Sequence, residues 1–148
     1  MKIEIGTLDD VLQVDAGIPE FDGRTTRALL EERLAGKSTL ILIARAKGRA
    51  VAYKLGYAIS EREFYSWLGG VLPEYRRKGI ASELRQAQET WAHKQGYHCV
   101  KVKSMNRYPA MLQLLIASGY HIVGYEENAL VPECGEGKIL FQRMLQAC

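Results

Sequence analysis

In Val71-Leu72-Pro73-Glu74-Tyr75-Arg76-Arg77-Lys78-Gly79-Ile80-Ala81-Ser82, three cations stand together just after a proline that ends a strand. From about Arg77 to Gln95 the spacing predicts a helix. Its apolar positions Ile80, Leu84, Ala87 and Trp91 step by 4, 3 and 4, one stripe of a helix buried on one side. A helix N-terminus already carries about half a positive charge, and each cation placed there costs roughly 0.3–1 kcal/mol. The arrangement makes sense if an anion sits in the turn. The free N–H groups of the first helical turn, a close approach allowed by Gly79 and the flanking guanidinium groups then form a phosphate cradle. A basic helix start that merely faces water is the bland alternative.

Before this segment, the pattern predicts a strand over Lys2–Gly6 and a helix opened by the capping box Thr7–Asp10 and ending near Gly17. A loop over Gly17–Gly23 leads to a second helix from about Thr25, closed by Gly36. Thr39–Ala46 and Arg49–Ile59 are β-rich runs joined by Lys47-Gly48, a hairpin signal, and a third strand spans 63–72. After the long helix come a strand at 98–103, a helix from Pro109 to Ser118 and strands at Tyr120–Glu127 and Lys138–Leu145. Strand 63–72, the helix and strand 98–103 form a β-α-β unit, so those two strands run parallel with a right-handed crossover. The fold class expected is α/β (α+β): a mixed, mostly antiparallel sheet flanked by helices.

The chain has 148 residues, 47% apolar and 25% charged, ordinary values for one globular domain spanning 1–148. Twenty Lys and Arg against 17 Asp and Glu leave a net charge of +3, too small a balance to mark a nucleic-acid binder. Cys99, Cys134 and Cys148 form no CxxC motif and read as free thiols of a reducing compartment. His93, His98 and His121 are scattered, so no metal site is expected. The N-terminus lacks the apolar run of a signal peptide, and no stretch approaches the roughly 18 apolar residues of a membrane span. A cytoplasmic protein without a membrane partner is the expectation.

The pattern V-x-P-x-x-R-x-x-G-I-A-x-x-L, set between a strand and a helix, resembles motif A of the GNAT N-acetyltransferases. Their loop signature Q/R-x-x-G-x-G/A is matched by Arg76-Arg-Lys-Gly79-Ile-Ala81, with Pro73 at the family's offset. Asn106, followed by a helix that ends in Gly119-Tyr120, is similar to a further family segment. The resemblance covers nearly the whole chain. It implies a GNAT-like sheet in which the parallel strands 63–72 and 98–103 splay apart, and acetyl-coenzyme A as acyl donor.

Carried over by position, the resemblance implies that the backbone of Gly69, Gly70 and Val71 pairs with the pantetheine arm. The segment Arg76, Arg77, Lys78, Gly79, Ile80, Ala81 and Ser82 would hold the pyrophosphate, with Asn106 on the pantetheine side. The reaction implied is attack of a neutral primary amine, on a small molecule, a protein N-terminus or a lysine, upon the thioester. A backbone N–H near Gly69–Val71 would stabilise the oxyanion. The enzyme would be a monomer or homodimer.

Three familiar acid–base positions depart from the family. The tyrosine that many members carry four residues before the Gly of the G-F/Y pair is Leu115, and acidic positions on two strands are Tyr65 and Lys101. The catalytic acid and base therefore stay unassigned, with Tyr108, Tyr65 and Ser104 as possible substitutes. The missing tyrosine keeps open a non-catalytic acyl-CoA-binding or sensing module as the alternative. Acids gather in the two connections expected to flank the acceptor: Glu20 and Asp22 in one, Glu126, Glu127, Glu133 and Glu136 in the other. They read either as solvated loops or as a negative rim for a cationic amine.

Overall fold

The computed structural model describes residues 1–145, so Cys148 lies outside the described residues. The chain runs β1 (Lys2–Ile5), α1 (Leu8–Ala16), α2 (Arg27–Leu34), β2 (Thr39–Ala46), β3 (Arg49–Ala58), β4 (Glu63–Val71), α3 (Ile80–Lys94), β5 (Cys99–Ser104), α4 (Pro109–Ala117), β6 (His121–Glu126) and β7 (Lys138–Met144). The order is the expected one, with three short 3-10 turns added at Pro19–Phe21, Pro73–Tyr75 and Pro132–Cys134. The seven strands form one sheet in the order β1-β2-β3-β4-β5-β7-β6. Every pairing is antiparallel except β4 with β5.

Local chemistry accounts for the boundaries. Thr7 accepts from the Asp10 N–H at 3.2 Å, and the Asp10 carboxylate accepts from the Thr7 N–H at 3.0 Å, the reciprocal bonds of the capping box. Lys47 and Gly48 both take positive φ, 52° and 79°, the backbone that a two-residue hairpin loop requires. Helix α3 starts three residues later than Arg77, because Arg77 and Gly79 adopt left-handed φ values of 61° and 78° and delay it to Ile80. Among the described residues no helix is long and apolar enough to cross a membrane.

The sheet is covered on both faces. On one, Tyr53 of β3 donates a 2.8 Å hydrogen bond to Asp15 of α1. On the other, Gly56 of β3 lies against α3 so closely that a Cβ there would stand 2.9 Å from Gln88 Nε2. The face α3 buries differs from the expected stripe. Ile80 and Leu84 are buried as predicted, but the row continues through Gln88, Glu89 and Ala92, leaving Ala87 and Trp91 half-buried at its flank. The 4-residue step Ile80, Leu84, Gln88 and Ala92 lies against the sheet, and Gln88 on it and Glu89 beside it are polar side chains held inside.

Candidate active site

Strands β4 and β5 share register at three positions only, Glu63 with Cys99, Phe64 with Val100 and Tyr65 with Lys101. β4 then continues to Val71 and β5 to Ser104 without pairing to each other, while β4 stays paired with β3 as far as Ala52–Val71. The divergence opens a cleft of about 980 Å³ through the sheet. Its walls include β4 from Ser66 to Val71, β5 from Val102 to Ser104, and residues of α3 and α4. An open sheet offers its ligand site at such carboxyl ends, where backbone groups lack strand partners.

At the mouth of the cleft the turn before α3 supplies donors. The N–H groups of Arg77 through Ser82 donate no hydrogen bond within the described residues. Arg77 and Gly79 take positive φ, 61° and 78°, a backbone of the kind from which successive N–H groups form anion-binding concavities. No side chain caps the helix, and the space beside Gly79 is open, with no atom within 4 Å of where a Cβ would stand. Residues 8–115 match the model of the Acetyltransferase (GNAT) family, most of the chain. The chain belongs to the GNAT acetyltransferase family.

Solved structures agree in fold. The ribosomal-protein-S18-alanine N-acetyltransferase from Escherichia coli superposes with a TM-score of 0.81 at 14% identity, over 99% of this chain and 95% of that one. A GNAT family acetyltransferase from Elizabethkingia anophelis with acetyl-CoA bound gives 0.75 at 14% identity, over 97% of each chain. An aminoglycoside 6'-N-acetyltransferase complexed with coenzyme A gives 0.75 at 14% identity, over 100% of this chain and 99% of that one. No curated protein matches the chain in sequence. As a GNAT acetyltransferase the chain is an acyltransferase that uses acetyl-coenzyme A as donor.

The sequence-predicted residues fall into three groups. Gly69, Gly70, Val71, Arg76 and Ala81 line the cleft. Arg77, Lys78, Gly79 and Ser82 sit in the turn or first helical turn, Lys78 exposed with its ammonium 5.3 Å from the Tyr75 ring centre. Ile80 buries its side chain in the core, so only its backbone faces the turn. Asn106 follows the end of β5. It does not line the cleft, and its Nδ2 donates to the Gly135 carbonyl at 3.0 Å, tying the end of β5 to the β6–β7 connection.

Leu115, in place of the family tyrosine, is buried in the cleft wall. Of the possible substitutes, Tyr108 and Ser104 line the cleft, whereas Tyr65 packs edge-on against Tyr57 outside it. Sequence reasoning passed over Lys54, which lines the cleft from the middle of β3. The available signal was one charge inside an otherwise apolar strand, Arg49–Ala58. It also passed over Glu89, a buried carboxylate that accepts from Arg85 at 3.0 Å, Arg143 at 2.6 Å and Tyr120 at 2.7 Å.

The two acidic connections are not a bare negative rim. Glu20 pairs with Arg76 at 2.6 Å, Glu126 with Lys103 at 3.0 Å and Glu136 with Arg107 at 4.0 Å. Each of these acids faces a cation of the cleft wall, so much of their field is cancelled locally.

Proposed function

We propose that this acetyltransferase acetylates a primary amine, with the pyrophosphate of acetyl-coenzyme A held by the N–H groups of Arg77–Ser82 and its pantetheine arm lying along Gly69–Val71. The observation that carries the reading is the coincidence of two vacant sets of backbone groups, the unpaired ends of β4 and β5 and the uncapped turn before α3, at one cleft. Arg76 and Arg77 supply charge beside the pyrophosphate, Gly79 gives it room, and Lys78 faces solvent. Asn106 acts through the loop it holds and not on the cofactor.

The amine enters from the α1 side of the sheet, where Phe21 and Tyr53 line the cleft. Held against the thioester, it attacks the carbonyl carbon, and the fixed geometry replaces a bimolecular encounter. A backbone N–H of the Gly69–Val71 stretch faces the developing oxyanion. The tetrahedral intermediate then expels the coenzyme A thiolate.

Two measurements test the reading. Acetyl-coenzyme A at about 100 times its dissociation constant should stabilise the fold by roughly 2.7 kcal/mol. Release of coenzyme A, followed with peptides bearing free N-termini, lysine-containing peptides and aminoglycosides, should show turnover with one class of amine. An unchanged melting temperature in millimolar acetyl-coenzyme A contradicts the cofactor placement, and release with none of the amines contradicts the acceptor class.

A further inference from the structure

Lys54 lies at the centre of β3, opposite Gly69 of β4, on the face of the sheet that α3 covers. Its side chain runs over Gly69, with Cγ and Nζ each 3.9 Å from where a Cβ of residue 69 would stand. Gly69 has no side chain to fill that space, so the ammonium reaches the cleft where the two strands part. Among the described residues no carboxylate lies within salt-bridge distance of it, and burial of the ammonium is opposed only through space by Glu89. A lysine buried along its stem and left without a partner at its head is costly unless something else meets it.

The groups around it point to what that partner is. From α3, Glu89 and Arg85 face it, but Glu89 is already engaged by Arg85, Arg143 and Tyr120. From β4, Ser66 and Gly69 bring no charge. Beyond α4, the Tyr120 hydroxyl spends its hydrogen bond on Glu89, and burial together with that carboxylate pushes its pKa far up, so it keeps its proton and donates nothing into the cleft. Leu115 is apolar. Of the cations lining the cleft, Arg76, Arg85, Lys103 and Arg107 each pair with a carboxylate, so among the described residues the Lys54 ammonium is the lining cation without one.

Resting on the cofactor placement given above, we propose that Lys54 is the catalytic acid of this acetyltransferase, its Nζ facing the coenzyme A sulfur and giving it a proton as the thioester breaks. As the amine nitrogen bonds to the carbonyl carbon, the C–S electron pair passes to sulfur. One N–H proton of Lys54 moves to that sulfur, giving free thiol, and the acceptor nitrogen loses its extra proton to water in the open cleft. Lys54, left neutral, regains a proton from solvent after coenzyme A departs. Lys54 suits the task near neutrality. Desolvation along its stem, opposed by Glu89 and reinforced by Arg85, pushes its pKa down to about 8. It is protonated below that pH yet releases a proton far more readily than a free lysine.

An ammonium beside sulfur also stabilises the thiolate of bound coenzyme A, which gives a test that needs no acceptor. The thiol of coenzyme A bound to the wild-type enzyme, followed by thiolate ultraviolet absorbance, should ionise at a pH about one unit lower than when bound to Lys54→Met. Lys54→Arg, which keeps the charge, should hold the low value. On the amine identified by coenzyme A release, both variants should lose about 100-fold or more in kcat. The KM for acetyl-coenzyme A should change little, and the fall in kcat above about pH 8 should disappear. Calorimetry with coenzyme A separates the two ideas. If wild type binds coenzyme A but its thiol titrates as in Lys54→Met, Lys54 does not face the sulfur and the cofactor placement stands. If coenzyme A does not bind, both fall.

Discussion

Arg76 spans the mouth of the cleft through Glu20: its Nη2 donates to the Glu20 carboxylate at 2.6 Å while its Nε donates to the Val71 carbonyl at 3.2 Å. The first bond lowers the Glu20 pKa, and the second keeps the guanidinium beside the β4 backbone. In the proposed cofactor placement, the cation beside the pyrophosphate is therefore half-spent on an exposed carboxylate. Glu20→Gln should tighten acetyl-coenzyme A binding a few-fold at low ionic strength and by little at high salt, because such exposed charges are screened over about 8–10 Å. Arg76→Gln should weaken binding with the opposite salt trend. Titration calorimetry at two salt concentrations checks both.

Gly79 holds φ at +78° with open space around it. Gly79→Val meets no protein atom but strains the backbone, at roughly 1–2 kcal/mol for a left-handed residue. Its melting temperature should fall by several degrees while acetyl-coenzyme A binding is lost, since the new side chain occupies the anion's place. Gly79→Asn, better suited to this conformation, should melt close to wild type and still bind weakly. Normal binding by Gly79→Val would put the pyrophosphate elsewhere.

Glu89 joins α3 to β7 and to the residue before β6, through Arg143 and Tyr120. Removing one member of such a buried ionic cluster costs about 3–5 kcal/mol, because the remaining charges lose their partner. Glu89→Leu should therefore lower the melting temperature by about 6 °C or more. Denaturant unfolding of Glu89→Leu beside Arg85→Met gives a direct comparison. A loss below about 1 kcal/mol in both would show the cluster to be dispensable.

Asp10 supplies an acid-dependent term. Its burial opposes ionisation, but the Thr7 N–H and the Arg45 guanidinium outweigh it, so the folded pKa lies below the ordinary 3.8. A depressed carboxylate contributes stability above its unfolded pKa and loses it as pH falls through the folded one. Asp10→Asn should therefore melt lower than wild type at neutral pH, and the two should converge as pH drops below about 4. A gap that persists at pH 2 would assign the effect to packing.

Much of this architecture is legible in the sequence because its signals are local. The capping box at Thr7–Asp10, the Lys47-Gly48 turn and Pro73 each act within a few residues, and the loop signature 76–81 places the cleft mouth. Side-chain partners brought together across the chain are not legible in this way. The apolar stripe of Ile80, Leu84, Ala87 and Trp91 leaves out Gln88 and Glu89, yet they are buried because that side of α3 lies against the sheet. Glu20, Glu126 and Glu136 read either as solvated loops or as an acidic rim until Arg76, Lys103 and Arg107 are found opposite them. Lys54 hides in an apolar strand, and its position over Gly69 depends on β3–β4 register.

The central claim is that acetyl-coenzyme A occupies the opening between β4 and β5 with its pyrophosphate on the turn before α3. Amide resonances followed by NMR during titration with acetyl-coenzyme A test this residue by residue. Saturable shifts are expected at Gly69–Val71 and at Arg77–Ser82, with Asn106 and the α1 amides of Val11–Asp15 moving least. Binding that leaves the Arg77–Ser82 amides unshifted would contradict the claim.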